Sequence, residues 1–130
     1  GTDKTGRGYP LALYRHVNNA RYLEFLEEAR WNLLEKHLEE ISGSNLAFVI
    51  VNVNIDFRYP ATLGDVLAIN ITLKRMGTKI LTLRQTIMLK GSKTSVAEAD
   101  VTMAAIELTT GQSVRIDERT RQIIESLPRE

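Results

Sequence analysis

The spacing of apolar residues changes once, near residue 45, from a helical period to a period of two, and that change governs what the chain can fold into. From Asn19 to Ile41, Tyr22, Leu26, Ala29 and Leu33 lie on one stripe that Leu34, Leu38 and Ile41 continue, the three-to-four spacing of an amphipathic helix. Asn18 or Asn19 is placed to cap it, because a side-chain oxygen there accepts from the N–H groups that a helix start leaves unpaired. Ser42-Gly43-Ser44 supplies the stop. Beyond it Ala47, Val49, Val51, Val53, Ile55 and Phe57 alternate with residues that become polar at Asn52, Asn54, Asp56 and Arg58. That alternation predicts one long strand.

The period of two then recurs. Pro60 and Gly64-Asp65 interrupt it, and Leu67, Ile69, Ile71 and Leu73 resume it against Ala68, Asn70, Thr72 and Lys74. Met76-Gly77-Thr78-Lys79 reads as a turn into a third strand carrying Leu81, Leu83, Ile87 and Leu89, and Gly91-Ser92 turns the chain into a fourth from Ser95 to Leu108. After Thr110-Gly111-Gln112, residues Ser113 to Ile116 suggest a short strand, and Asp117 is a cap for a closing helix that ends before Pro128. With a short N-terminal strand around Lys4 to Tyr9, the order predicts an α+β domain spanning residues 1–130. A sheet of that length exposes more apolar surface than one helix covers, so a homodimer or homotetramer is expected.

Composition removes several classes of function. Lysine plus arginine (17) nearly balances aspartate plus glutamate (16), so no overall charge favours nucleic acid or an anionic membrane. Cysteine is absent, which excludes disulfides, thiolate metal ligands and a cysteine nucleophile and suits a reducing compartment. The polar start from Gly1 to Arg7 lacks the apolar stretch of a secretion signal, and no run is long enough to cross a bilayer. A cytoplasmic chain without membrane insertion, metal or cofactor is expected.

The residues around the helix start carry the chemistry. The run HVNNARYLEFLEEARW from His16 to Trp31, the strand AFVIVNVNIDFRYPA from Ala47 to Ala61, the LGDVL segment from Leu63, and AEADVTMAAIEL followed by TTGQ together resemble the hotdog-fold acyl-CoA thioesterases. The resemblance is greatest to the bacterial long-chain acyl-CoA thioesterases of fatty-acid degradation, and it runs through nearly the whole chain. It implies a long helix wrapped by an antiparallel sheet, with paired active sites at a subunit interface. It also implies a reaction in which acyl-CoA is hydrolysed to free fatty acid and CoA.

Thioester hydrolysis needs a polarised carbonyl, which the positive end of a helix supplies, and a carboxylate that attacks or positions water. By motif position the backbone N–H of Asn19 meets the carbonyl. The family's carboxylate is an Asp seven positions earlier, where this chain has Ala12. Three accounts stay open: an engineered Asp-to-Ala variant, a relative using another carboxylate, with Glu27 the first candidate, and a non-catalytic module that binds acyl-CoA or acyl-carrier protein. Glu27 lies among Glu24, Glu28, Arg21 and Arg30, where solvated charge is the ordinary outcome. His16 has no nucleophile partner suggested by the sequence, and Asn18 either caps the helix or shapes the thioester site. A related hotdog dehydratase fits less well, because its catalytic His does not map onto His16 or His37.

Coenzyme A brings phosphates, for which Arg75, Gly77, Thr78 and Lys79 at a turn and Arg58 at a strand end are candidates. Arg58 has Asp56 and Asp65 as alternative partners. Phe25, Leu26, Trp31 and Val51 are candidates for an acyl slot.

Overall fold

The computed structural model describes residues 18–37, 45–62 and 64–130. The expected strand at Lys4 to Tyr9, the helical positions Leu38 and Ile41, the Ser42-Gly43-Ser44 stop, and the site positions Ala12 and His16 lie outside them. The described elements are α1 (Asn19–Glu35), β1 (Leu46–Phe57), β2 (Leu67–Met76), β3 (Ile80–Leu89), β4 (Ser95–Glu107) and α2 (Glu118–Glu125). The strands form one antiparallel sheet in the order β1-β4-β3-β2, and the helices lie on one face of it, the α+β architecture expected.

α1 is shorter than its periodicity predicts. Its last helical residue is Glu35, and the chain closes it at Lys36 and His37, where the His37 N–H donates to the Leu34 carbonyl at 2.9 Å. The stripe holds: Tyr22 and Leu26 are fully buried, and Ala29, Leu33 and Leu34 are partly so. Tyr22 and Leu26 pack with Ile87, Ala97, Ala99 and Val101 from the centre of the sheet, where alanines on β4 let the helix come close. A buried leucine of this kind contributes roughly 1.5–3 kcal/mol. α2 covers the other half of the same face, with Ile124 and Leu127 against Leu73, Leu81, Leu83 and Ala105. Asp117 caps α2 as expected, its Oδ1 accepting from the Thr120 N–H at 2.8 Å. Ser113 to Ile116 is not a strand; one bridge joins Ser113 to Ile106.

β1 departs from the sequence reading in the phase of its alternation. Its register to β4 runs Phe48↔Ala105 and Ile50↔Met103, skips Val51, and resumes at Asn52↔Thr102 and Val53↔Val101. A bulge inserts one residue and reverses which side chains face inward. Phe48 and Ile50 therefore share the inner face with Val53, Ile55 and Phe57, while Ala47 and Val49 are outside. A second bulge, at Lys74, does the same to β2.

The β2–β3 turn shows why Gly77 is needed there. Its N–H donates to the Ile80 carbonyl at 2.7 Å, and a β-carbon at this position would stand 2.9 Å from that oxygen.

Candidate active site

The start of α1 is an exposed, capped helix end. Asn18 is extended (φ −77°, ψ 158°) and its side-chain oxygen accepts from the Arg21 N–H at 3.1 Å. Helix geometry leaves the N–H groups of Asn19 and Ala20 without intrahelical acceptors, and they carry the positive end of the helix dipole. Asn18 thus takes the capping role of the two considered, and Asn19 is the first helical residue.

One turn farther, Tyr22 ties the end of β1 to this helix start. Its hydroxyl oxygen accepts from the Ala61 N–H at 3.1 Å, and its ring lies 5.8 Å from that of Phe57. The segment holding Arg58 is drawn to the same end of the molecule. Arg58 is half exposed and pairs with Glu98, Nε to Oε2 at 3.2 Å, and more loosely with Asp56 at 3.8 Å. The alternative partner Asp65 instead accepts from the Thr62 N–H at 2.8 Å.

The other phosphate candidates lie elsewhere. Phe57 pairs with Ala97 and Ile80 with Ala104, so the turn at Gly77, Thr78 and Lys79 is seven residues along β4 from the Arg58 end, about 23 Å at about 3.3 Å per residue. Arg121 donates to the Gly77 carbonyl at 2.7 Å, Ile116 N–H to Thr78 O at 2.9 Å, and Ala105 N–H to Lys79 O at 2.8 Å. Arg75 lies on the outer face beside Thr82, 3.5 Å from its hydroxyl. Within one copy of the chain these residues and Arg58 do not form a single site.

Between α1, α2 and the inner face of the sheet lies a cleft of about 480 Å³. Trp31, Leu34, Phe48, Leu83, Ile124 and Leu127 give it an apolar wall. Of the four residues expected in an acyl slot, Trp31 lines it. Leu26 is core, Phe25 faces a hollow on the other side of α1, and Val51 is the bulge residue on the outer strand.

Four polar residues reach the cleft wall: Glu27, Arg30, His37 and Thr120. Glu27 is exposed and lies two turns from Asn19, about 12 Å along the axis at about 1.5 Å per residue. The Thr120 hydroxyl is buried without a hydrogen-bond partner among the described residues.

Arg30 is held inward. One of its N–H groups donates to Gln85 Oε1 at 2.7 Å, and Gln85, fully buried on β3, donates in turn to the Leu26 carbonyl at 3.0 Å. Burial lowers the Arg30 pKa from its ordinary value, partly offset by the charge of Glu27. No carboxylate of the described residues lies within ion-pair distance of it.

The sequence reading places Arg30 on a solvated polar face with Glu24, Glu27, Glu28 and Arg21, which its inward bond to Gln85 corrects, and does not single out Gln85, although both leave a signal there. Arg30 stands four residues from both Leu26 and Leu34, on the apolar stripe, and Gln85 occupies an inward position between Leu83 and Ile87.

Residues 9–124 match the model of the thioesterase-like superfamily. The long-chain acyl-CoA thioesterase FadM of Escherichia coli strain K12 is 43% identical over 123 residues, which are 93% of this chain and 93% of that one. The crystal structure of the probable thioesterase YbaW from Escherichia coli superposes with a TM-score of 0.80 at 43% identity, covering 93% of this chain and 92% of that one. A 1,4-dihydroxy-2-naphthoyl-CoA thioesterase from Synechocystis superposes at 0.75 with 23% identity, covering 92% and 88%, and shares the fold.

Proposed function

Because this chain belongs to the thioesterase-like superfamily, we propose that it is an acyl-CoA thioester hydrolase built to release long-chain fatty acid and CoA in the cytoplasm. What supports this reading is the exposed, capped start of α1 together with an apolar cleft lined by the second half of the same helix, from Glu27 onward. The Asn19 N–H, fixed in direction by the Asn18 cap, donates to the thioester carbonyl as charge develops on oxygen. The acyl chain continues along α1 past Glu27 toward Trp31.

The nucleophilic half of the reaction depends on position 12. Ala12 carries neither a base nor a nucleophile, so the chain as it stands binds and polarises the substrate without efficient attack on it. Glu27 is the second candidate for the carboxylate, and His16 the candidate for ordering the loop before the helix. A non-catalytic acyl-CoA or acyl-carrier-protein binding module is the competing reading, and Ala12 is the observation that favours it.

A second copy completes this proposal. Among the described residues β1 has β4 as its one neighbour, and Val49, Ile50, Val51 and Val53 on it are exposed apolar residues. Such an edge accepts another strand. Antiparallel pairing of β1 with its copy about a twofold axis reverses the ends of the sheet. The second copy's 77–79 turn then stands toward the Arg58 end, where both can serve the phosphates of one CoA.

The test is release of CoA from a long-chain acyl-CoA by this chain and by Ala12→Asp, with binding measured in parallel. We expect equal binding and a gain in turnover of roughly 10²–10⁴ for Ala12→Asp, the usual worth of a general base. Binding by both without hydrolysis by either would replace the enzyme with the binding module.

A further inference from the structure

The reaction proposed above leaves Arg30 without a role, and its surroundings call for one. A guanidinium taken out of water is costly unless an anion meets it. Arg30, partly buried, bonds Gln85 on one side and faces the apolar wall on the other; Glu27, one turn earlier on the cleft wall, acts on it through charge alone, with no ion-pair contact among the described residues. Gln85 holds it in one orientation through the Leu26 carbonyl, so its remaining donors are directed without further ordering.

We infer that the cleft is a binding site for free long-chain fatty acid, with the carboxylate on Arg30 and the tail running between Trp31, Leu34, Ile124 and Leu127. The inference rests on the thioesterase reading for its source of ligand but on Arg30 for its chemistry. A carboxylate matches the fork of a guanidinium and forms charge-assisted hydrogen bonds with it. The apolar wall beyond matches a hydrocarbon tail and not a sugar or a nucleotide. An acyl-CoA cannot satisfy Arg30 in this way, because its thioester at Asn19 is eleven residues up the helix, about 16 Å at about 1.5 Å per residue, and only methylenes then lie beside the guanidinium. Released acid can slide inward until its new carboxylate meets Arg30. It then fills the space the next acyl chain needs, so the product competes with the substrate.

The molecule carries its own probe for this. Trp31 is the single tryptophan of the chain and lines the cleft, so its fluorescence reports occupancy. The experiment titrates the whole chain with hexadecanoate and with hexadecanol, both below their aggregation limits, and repeats both with Arg30→Met. The acid should bind at least about tenfold more tightly than the alcohol, the size of one charge-assisted hydrogen bond. Arg30→Met should bring both to the alcohol's affinity, and the retained alcohol binding shows the cleft intact.

Equal binding of acid and alcohol by the unmodified chain overturns the inference, and so does a preference that survives Arg30→Met. Should Arg30→Met fail to fold, Arg30→Lys replaces it: the preference should fall severalfold with loss of the two-pronged contact, and an unchanged preference refutes the role. If Ala12→Asp hydrolyses no acyl-CoA while acid binding depends on Arg30, the proposed enzyme fails and this site stands.

Discussion

Two arginines on opposite faces of the sheet live in opposite electrostatic surroundings. On the outer face, Arg84 at the centre of β3 bonds Asp100 at 2.8 Å and Glu98 at 2.7 Å, with Glu130 at 3.6 Å; Lys74 closes on Asp100 from β2. Its pKa is raised above the ordinary value, first by the hydrogen bond to Asp100. On the inner face, Arg30 bonds an amide and has Glu27 one turn away without an ion-pair contact, and burial lowers its pKa. The pairing of Arg84 is complete within the chain and needs nothing more. Among the described residues that of Arg30 is incomplete, and it faces the cleft in which the fatty acid is inferred to bind.

The sharpest way to break this comparison is to remove each arginine in turn. Arg84→Met leaves Glu98 and Asp100 facing each other without their cation, and we expect about 2–3 kcal/mol lost in urea unfolding, less than for a fully buried pair because the group keeps contact with water. Fatty-acid and acyl-CoA binding should not change. A loss under about 0.5 kcal/mol would show that the outer network contributes no more than ordinary surface ion pairs.

Next in size is the acid response of Asp100. Its burial would raise its pKa, but the hydrogen bonds from Lys74 and Arg84 outweigh this and hold it below the usual carboxylate range. The folded state therefore binds the proton less readily than the unfolded chain. The stability Asp100 contributes is present in full above the unfolded value near ~4 and is lost as pH falls through the lower folded value. Asp100→Asn should cost about 1–2 kcal/mol at neutral pH and flatten the fall in stability on acidification. An unaltered acid limb in circular dichroism would contradict this.

Arg30→Met should change stability by no more than about 1 kcal/mol in either direction, since the gain from removing a partly buried cation with no ion-pair contact among the described residues is set against a Gln85 oxygen left without its donor. A large destabilisation would mean that Arg30 is a structural group like Arg84. Thr120→Val, which deletes a buried hydroxyl without a partner, should be within about 0.5 kcal/mol of neutral or slightly stabilising. Differential scanning calorimetry resolves both.

Much of this arrangement was legible in the residues. The apolar stripe of α1, the four strands, the cap at Asp117 and the family motif from His16 to Trp31 all follow from local spacing or a contiguous run, and local spacing is what a sequence displays. The bulges at Val51 and Lys74 were hidden because each is defined by a partner strand, and a lone strand shows no skipped register. On β1 this misplaced Ala47 and Val49 and concealed Phe48, which lines the cleft. Arg30 and Gln85 are 55 positions apart, so the sequence showed Arg30 only beside the charges of its own helix and nothing that paired it with Gln85. Arg58 was legible as a strand-end cation with Asp56 beside it, but its nearer partner Glu98 comes from a strand forty positions later. The Arg75–Lys79 turn, grouped with Arg58 by chemistry, proved to be at the far end of the sheet.

The two borders of the sheet, finally, differ in whether they can be extended. On β2 the carbonyl of Pro128 accepts from the Leu73 N–H at 2.8 Å and the Glu130 N–H donates to the Leu73 carbonyl at 3.1 Å, so the chain's own tail occupies that border at its bulge. β1 has no such plug among the described residues. In the language of polymer growth the described sheet has one border capped at Leu73 and one border open: a join at β1 uses the open border, and the pair proposed above presents outward the borders that the tails hold at Leu73. Association of this kind terminates in a single step, which lets an apolar strand remain open for assembly without seeding a filament.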